Sequence, residues 1–532
     1  MPIAATDVCA LGAAETACEI ASGRLSAREA VEARIRRIEE TNERLNAVVV
    51  PLVERARAEA AAADERQRRG DPLAPLHGVP VTVKESFFVA GTASTGGLPG
   101  RARHRAEADS PLVARLREAG AILLGKTNVP QMLLYIESDN PLYGRANNPW
   151  SLERSPGGSS GGEAATIAAS ASTLGLGTDL AGSIRIPAHA CGIHGFKPGD
   201  RRLSLVGTFD ALLAPGQEAM VPQPGPLARR VEDLALAWSV LAAPGQEAFD
   251  PTIPPVPAGS PRDVRINIKR LRVGFFLDDG WFPPSAACRR AVREAASVLA
   301  ARGAEVEEFT PPDVPEAMRL FFGLLCAPGT AWVRPFVAGG PVDPRLAELI
   351  RMGGLPHGLN RAIASLLRIA GQPRRAAGLR TMGRRSAAAY WRLVADRARY
   401  REGFLDARGP GRFDAILCPA SPTPALIHGA SRHLLAAASY TMLFNLLGLP
   451  AGVVAATRVR PEEEEGRPAS RDPMDEAARR VDAGSAGLPV GVQVAARPWR
   501  EDVALAVMAA LEEAFRTRPD YPVEPPLGTA GV

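Results

Sequence analysis

The chain has 532 residues, of which 46% are hydrophobic and 23% charged, a composition typical of a folded globular protein. The formal charge is +5, and no run of lysine and arginine alternates with aromatic residues, so we expect no nucleic-acid partner. The six cysteines lie far apart without a CxxC pair. This spacing argues against a zinc site or a disulfide framework and predicts a reducing compartment, the cytoplasm.

Taken in chain order, the predicted elements alternate between helix and strand. Residues 24–70 carry apolar residues at helical spacing, and alternating valines then predict a strand that ends at Lys84. Residues 110–124 predict a helix that leads into the short strand AILLG, and a further helix is predicted from Glu163 to about Ser172. The later segments LRVGFFLDD, CRRAVREAASVLAARG and AEVEEF predict strand, helix and strand. This alternation is typical of an α/β fold with helices on both faces of the sheet.

One uncharged run, residues 434–457, is long enough to span a bilayer. Asn445, Gly448 and Pro450 lie near its middle, and a spanning helix does not favour such a break. The run is therefore predicted to form a buried helix, a turn and a strand.

The segment SPGGSSGGEAATIAASASTLGLGTDLAGSIRIP places several serines among glycines, a setting typical of a nucleophile. Residues 157–161 formally match the G-x-S-x-G elbow, but the polar loop NNPWSLERSP precedes them where that motif requires a strand. The alternative base is a lysine, which can act only if burial lowers its pKa from about 10.4. Lys84 ends an apolar strand and is the candidate, although a lysine in that position is more often a solvated surface residue.

Three segments, in order and correctly spaced, resemble the amidase signature family: GVPVTVKES, NPWSLERSPGGSSGGEAA and LGLGTDLAGSIRIPAHACGIHGFKP. The resemblance implies the α/β amidase signature fold, a large mixed β-sheet sandwiched between α-helices, with no metal and no organic cofactor. It implies that Ser183 is the nucleophile and Lys84 the base. It also implies that Ser159, which follows a cis peptide bond, passes the proton between them.

The resemblance also assigns supporting roles around these three residues. The backbone N–H groups of Ser183 and the residues before it would form an oxyanion hole; the preceding residues are Leu180, Ala181 and Gly182. A second set would hydrogen-bond the turn that orients the two serines, or would only stabilise the loop; it comprises Ser160, Asp179 and Arg185.

Two positions depart from the family pattern. Ala181 stands where the family usually has glycine, and an alanine forced to a positive φ costs about 1 kcal/mol. Glu85 and Ser86 follow Lys84 where the family often has Asp-Asn. Neither change removes a catalytic atom, but both are expected to alter the rate and the substrate fit.

Segments outside the signature, among them TNVPQMLLYIESDNPLYG and SYTMLFNLLGLPAGVVAAT, resemble the branch of the family that hydrolyses fatty acid amides. That branch implies an amphipathic cap over an acyl-chain channel, here at residues 355–381. It also implies that Leu133 and Leu134 line the channel, although a role in the core stays open.

The predicted cap has a pattern of its own. Its apolar residues fall on one helical face, namely Leu359, Ile363, Leu366, Leu367 and Ala370. Residues 349–395 include nine arginines and no aspartate or glutamate. A basic amphipathic helix suits an anionic membrane surface, and packing on the core with a solvated basic face is an equal alternative.

No linker divides the chain, so residues 1–532 are predicted to form a single domain. Its parts are an N-terminal helical region (1–75), the signature core with the catalytic residues (76–230), a cap-like amphipathic helical segment (345–395) and a mobile surface insertion (458–487).

The expected activity is hydrolysis of a small-molecule amide, preferably with a hydrophobic acyl part, through an acyl-Ser183 intermediate. The alternatives are an amidase, urethanase or esterase acting on aryl amides, carbamates or small amides, an amidotransferase subunit, or an inactive binding protein. The expected localisation is cytoplasmic, and peripheral membrane contact and a homodimer stay open.

Overall fold

The computed structural model describes residues 5–213, 216–257, 266–406 and 408–528, so the outer limits of the predicted domain lie outside the described residues. The strands are β1 (Val48–Pro51), β2 (Pro80–Lys84), β3 (Ile122–Thr127), β4 (Asp139–Asn140), β5 (Gly144–Arg145), β6 (Leu174–Asp179), β7 (His194–Lys197), β8 (Gln223–Ala228), β9 (Arg272–Phe275), β10 (Glu305–Glu308), β11 (Ala415–Pro419), β12 (Ala451–Arg458) and β13 (Pro489–Ala496). The α-helices are α1 (Ala5–Ala10), α2 (Ala13–Ala21), α3 (Ala27–Leu45), α4 (Val53–Arg68), α5 (Pro111–Glu118), α6 (Gly161–Ala168), α7 (Arg185–Cys191), α8 (Val231–Leu241), α9 (Ala286–Ala301), α10 (Val314–Cys326), α11 (Arg334–Val337), α12 (Pro344–Gly354), α13 (His357–Ile369), α14 (Pro373–Thr381), α15 (Ala387–Leu405), α16 (Ser431–Leu434), α17 (Ser439–Leu447), α18 (Pro473–Asp482) and α19 (Glu501–Phe515).

Eleven of the strands form one mixed sheet in the order β1-β3-β2-β6-β8-β7-β12-β13-β11-β9-β10. Strand β2 runs parallel to β3 and β6, and β9 runs parallel to β10 and β11. The other neighbours in this sheet are antiparallel. The predicted large mixed sheet is confirmed.

Both faces of this sheet are buried under helices. On β11, Ala415 and Leu417 join one hydrophobic core with α9 and α19, whereas Ile416 and Cys418 join another with α10 and α17. Successive residues of a strand point to opposite faces, so the two cores lie on opposite sides of the sheet. The predicted sandwich of a sheet between helices is therefore confirmed.

Most of the predicted elements are present with shifted ends. The helical segment 24–70 is interrupted by the short strand β1, which pairs with β3 at the sheet edge. The helix expected from Glu163 begins at Gly161 and ends at Ala168. The uncharged run 434–457 contains α17, a turn and β12, as predicted.

The segment 458–487 differs from the prediction of an exposed insertion. It contains α18, in which Met474, Ala478 and Val481 are buried in the core shared with α10 and α17. Arg467 forms an ion pair of 2.5 Å with the partly buried end of this helix at Asp482. The prediction of exposure is therefore wrong for α18, because its hydrophobic face packs on the protein.

The sheet brings the ends of β2 and β6 together. These strands are adjacent and parallel, with Val83 opposite Leu176, so Lys84 and Asp179 end at the same edge of the sheet. Carboxyl ends of neighbouring parallel strands are where open α/β sheets place their sites. The glycine- and serine-rich loops follow there.

Candidate active site

A cavity of about 380 Å³ opens at this edge of the sheet, within the range of small-molecule sites. Ser159, Thr178 and Ser183 line its polar end, and its walls are mainly apolar side chains from α10, α12 and α17. Leu133 and Leu134 both line it, and Leu133 is also buried in a core cluster. Leu133 therefore lies both at the cavity wall and in a core cluster, and its contact with a substrate stays a prediction.

Lys84 is fully buried at the end of β2. Its Nζ lies 2.7 Å from Ser159 Oγ and 2.6 Å from Thr178 Oγ1. Burial lowers the pKa of Lys84 to about 8, because a charged ammonium is poorly solvated there. The alternative of a solvated surface lysine is therefore wrong, and a neutral Lys84 is accessible near neutral pH.

The two serine loops meet above Lys84. The peptide bond between Gly158 and Ser159 is cis, as predicted. The backbone N–H of Ser160 donates to the carbonyl of Ser183 at 3.0 Å, which ties one loop to the other. Ser183 Oγ lines the cavity and forms no hydrogen bond within the described ranges, and none links the hydroxyls of Ser159 and Ser183.

The turn that carries Ser183 is built on the carboxylate of Asp179. This carboxylate accepts from the N–H groups of Gly182 at 2.8 Å and Ile184 at 3.1 Å, and from Arg185 Nη2 at 2.8 Å. Burial alone would raise the pKa of Asp179, but the Arg185 guanidinium outweighs it and holds that pKa well below its usual range. Asp179 and Arg185 therefore orient the turn, and Ser160 adds the bond to Ser183.

The predicted oxyanion hole needs one correction. The N–H of Gly182 is already engaged by Asp179, so the prediction of a free donor at Gly182 is wrong. By contrast, the N–H groups of Leu180, Ala181 and Ser183 donate to no acceptor in the described part of the chain. Leu180, Ala181 and Ser183 also line the cavity, which leaves three donors for a substrate oxygen.

Gly182 has a different requirement, which is conformational. Its φ is 112°, and a Cβ there would overlap the hydroxyl of Thr441. Ala181 is not among the residues with positive φ, so alanine carries no left-handed penalty at the position where the family usually has glycine. The predicted free-energy cost of alanine at position 181 is therefore absent.

Replacing Gly182 by alanine is expected to lower kcat/KM for an amide about 100-fold or more, the cost of misplacing an oxyanion donor. The added methyl must displace Thr441 or the turn that carries Ser183. Ala181→Gly is the matched control and should keep most of the activity. Wild-type rates in purified Gly182→Ala would contradict the described role of the turn.

Several residues of the site were not found from the sequence. Thr178 contacts Lys84, and Asp210 holds Thr178 in turn. The carboxylate of Glu163 accepts hydrogen bonds from the hydroxyls of Thr82 and Thr127, and burial raises its pKa to about 8. Arg185 is anchored by three groups from distant parts of the chain, namely the Thr441 carbonyl, Asn445 Oδ1 and Gln493 Oε1.

Neither a metal site nor a membrane span is found in the described ranges. There, no three histidine, cysteine or acidic side chains cluster as metal ligands would. The helices described include none with the length and hydrophobicity needed to cross a bilayer.

The sequence and fold are similar to known amide hydrolases. The family described as Amidase matches residues 29–505. The chain is 37% identical over 499 residues to fatty-acid amide hydrolase 1 of Sus scrofa, covering 93% of this chain and 84% of that protein. It is 34% identical over 502 residues to fatty acid amide hydrolase 1 of Caenorhabditis elegans, covering 93% and 86%. A solved structure of fatty acid amide hydrolase matches with a TM-score of 0.82 at 24% identity, over 97% of this chain and 87% of that one, which shows a shared fold.

Proposed function

Because this chain belongs to the amidase signature family and is an amide hydrolase, we propose that it cleaves hydrophobic N-acyl amides through an acyl-enzyme on Ser183. The observation that carries the proposal is the buried contact of 2.7 Å between Lys84 Nζ and Ser159 Oγ, at the polar end of an apolar cavity. A small-molecule amide is the substrate, and the products are a carboxylate and an amine.

In the proposed reaction, neutral Lys84 takes the hydroxyl proton of Ser159, which takes the proton of Ser183. Ser183 Oγ then attacks the amide carbon. The Ser183 hydroxyl has no hydrogen-bond partner in the described contacts, so it must turn toward Ser159 when substrate binds. Catalytic hydrogen bonds in free enzymes often tighten only in the substrate complex.

The developing oxyanion would be bound by backbone donors. The N–H groups of Leu180, Ala181 and Ser183 have no acceptor among the described residues, and these three residues line the cavity. One such donor is worth about 3 kcal/mol in the transition state. The relay then reverses and protonates the leaving amine, without which the C–N bond breaks slowly. Water finally hydrolyses the acyl-enzyme.

The walls of the cavity support a hydrophobic acyl group. Phe321 and Phe322 from α10 and Leu349 from α12 line the cavity together with Leu133 and Leu134. The similarity to fatty-acid amide hydrolases of two animals supports the same substrate class. Each buried methylene of the substrate would contribute about 0.8 kcal/mol, or roughly a 4-fold gain in kcat/KM.

A series of N-acyl amides that share one leaving amine and differ in acyl length tests this substrate class. The kcat/KM is expected to rise by up to about 4-fold per methylene until the cavity is filled. Acetamide, benzamide, a carbamate and an ester serve as comparisons. A flat profile with fast turnover of small or aryl amides would assign the enzyme to those substrates instead.

The cap, residues 355–381, is proposed to admit the acyl chain. A second cavity of about 190 Å³ lies beneath it and is lined by Ile363, Leu367 and Leu379. Its remaining walls include Tyr135 and Leu349, which also line the catalytic cavity. The inner face of α13 therefore lies beside a cavity that shares wall residues with the catalytic cavity, and we propose that the acyl chain enters there.

The outer face of α13 supports a membrane contact. Leu359, Leu366 and Ile369 follow one another at seven and three positions along α13 and are 47%, 68% and 84% exposed. We call these three residues the cap surface. Residues 351–392 also include six exposed arginines that form no ion pair with any described residue: Arg351, Arg361, Arg368, Arg380, Arg384 and Arg392. An exposed apolar stripe within a basic segment fits an anionic bilayer.

Replacing Leu366 and Ile369 by serine is expected to weaken co-flotation with anionic vesicles at least 3-fold, because two exposed apolar anchors are lost. Turnover of small amides should stay unchanged. Val523→Ser, at a residue 70% exposed outside the cap, is the matched control. A wild-type protein that does not float, but sediments as a dimer unless Leu366 and Ile369 are replaced, would show that a second copy covers the cap surface instead.

A further inference from the structure

We propose that Asp210 is a positioning residue that acts through Thr178 to direct the lone pair of Lys84 at Ser159. The inference rests on the proposed function, in which Lys84 is the base. It concerns the orientation of that base, which the distances around Lys84 alone do not determine.

Asp210 begins a short 3-10 turn, Asp210–Leu212, at the polar end of the catalytic cavity. Its side chain is 6% exposed, and its Oδ1 accepts a hydrogen bond of 2.8 Å from Thr178 Oγ1. Its other oxygen, Oδ2, is buried without a hydrogen-bond partner in the described ranges. Within the described ranges, the bond to Thr178 is therefore the only hydrogen bond of the Asp210 carboxylate.

The hydrogen-bond directions follow from the chemistry of each group. An ionised carboxylate only accepts, so the single hydroxyl proton of Thr178 must point to Asp210. Thr178 Oγ1 then presents lone pairs to Lys84 Nζ, 2.6 Å away, and accepts from it. The carbonyl oxygen of Thr178, 3.5 Å from the same nitrogen, is also an acceptor.

A neutral amine has two N–H bonds and one lone pair. Thr178 offers an acceptor to each N–H bond of Lys84, its hydroxyl oxygen at 2.6 Å and its carbonyl oxygen at 3.5 Å. Ser159 Oγ, at 2.7 Å, is the remaining neighbour and meets the lone pair. This is the arrangement in which Lys84 can accept the proton of Ser159.

Without Asp210, the Thr178 hydroxyl would be free to rotate and donate to Lys84. It would then compete with Ser159 for the same lone pair, and part of the population would hold an inactive arrangement. Asp210 removes this alternative because its carboxylate accepts the hydrogen bond of the Thr178 hydroxyl.

The charge of Asp210 has a second, separable effect. Burial lowers the pKa of Lys84, and the Asp210 carboxylate opposes this more than the other carboxyls that face the lysine, which are Asp179, Glu163 and Glu85. Removing the Asp210 charge should therefore lower that pKa further. Since neutral Lys84 is the active form, the acid limb of the pH–kcat/KM profile should move to lower pH.

The test compares pH–kcat/KM profiles of the full chain for wild type, Asp210→Ala, Thr178→Val and the double variant, with one amide substrate. For Asp210→Ala we expect a plateau about 10-fold lower and an acid limb shifted to lower pH. The double variant should be no slower than Thr178→Val alone, because Asp210 acts through that hydroxyl. Glu247→Gln, an exposed carboxylate, controls for overall charge.

If Asp210→Ala has the same kcat/KM plateau and the same acid limb as wild type, the inference is wrong. It is also wrong if the double variant loses kcat/KM by the product of the two single losses. If Asp210→Ala does not fold, Asp210→Asn carries the same test of the acid limb, and an unshifted limb counts against the proposal. Failure of the proposed function has a different signature, because an active Lys84→Ala would show that no lysine base is used. If Asp210→Ala keeps the wild-type pH–kcat/KM profile while Lys84→Ala is inactive, the proposed role of Asp210 is wrong and the proposed function stands.

Discussion

Replacing Ser183 by alanine is expected to lower kcat/KM for an amide by roughly 10,000-fold or more, as for other serine nucleophiles. Its hydroxyl is the group that would form the acyl-enzyme and lines the cavity. Because Ser183 Oγ forms no hydrogen bond within the described ranges, the midpoint of thermal unfolding should change little. The measurements are steady-state kinetics and calorimetry of the purified variant.

A fluorophosphonate probe gives the complementary result. It should label the wild-type enzyme on the peptide that contains Ser183 and should not label Ser183→Ala. Ser239→Ala, on α8 and outside the cavity, is the matched control and should be labelled normally. Labelling at Ser159 instead would assign the nucleophile to the G-x-S-x-G pattern and contradict the proposed relay.

Replacing Lys84 by alanine is expected to reduce amide hydrolysis at least about 10-fold more than hydrolysis of an ester with the same acyl group. In the proposed relay the lysine returns a proton to the leaving group, and an amine needs that proton far more than an alkoxide does. The measurement is kcat/KM for a matched amide and ester pair at several pH values.

Lys197 offers a matched control for Lys84. It is equally buried, and burial lowers its pKa to about 8, but among the described residues its Nζ donates only to the carbonyls of Pro198 and Leu449. Lys197→Met should therefore change amide and ester hydrolysis by the same factor. Equal losses on both substrates for Lys84→Ala would count against proton return by the lysine.

The site residues that could be predicted from the sequence are those that belong to short, contiguous motifs. Lys84, Ser159 and Ser183 occur within three motifs, and the parallel pairing of β2 with β6 brings the ends of those motifs to one sheet edge. Asp210 belongs to none of the motifs, and its contact with Thr178 spans 32 positions along the chain. No local pattern marks such a residue, because its role depends on where a loop returns.

The oxyanion hole shows a different limit. The sequence predicts four consecutive N–H donors there, but the N–H of Gly182 donates to the Asp179 carboxylate instead. Which donor a carboxylate takes depends on the φ and ψ of the turn, and residue types alone do not determine these angles.

The cap was predicted as one apolar stripe, and the structure divides it between two faces. Leu366 points outward, whereas the next residue, Leu367, lines the inner cavity. Consecutive residues of a helix are about 100° apart, so a wide stripe can serve the core and the surface together. Packing against the protein and an exposed apolar face therefore occur on the same helix.

The anchoring of Arg185 has a consequence for how the protein folds during translation. The guanidinium contacts Thr441 and Gln493, which lie 256 and 308 positions later in the chain. Until those residues have emerged, the turn that presents Ser183 lacks the supports that α17 and β13 provide. Contacts so distant in sequence form late in folding. A nascent chain would therefore complete the turn that carries Ser183 only near the end of translation, and we expect unfinished chains not to hydrolyse amides.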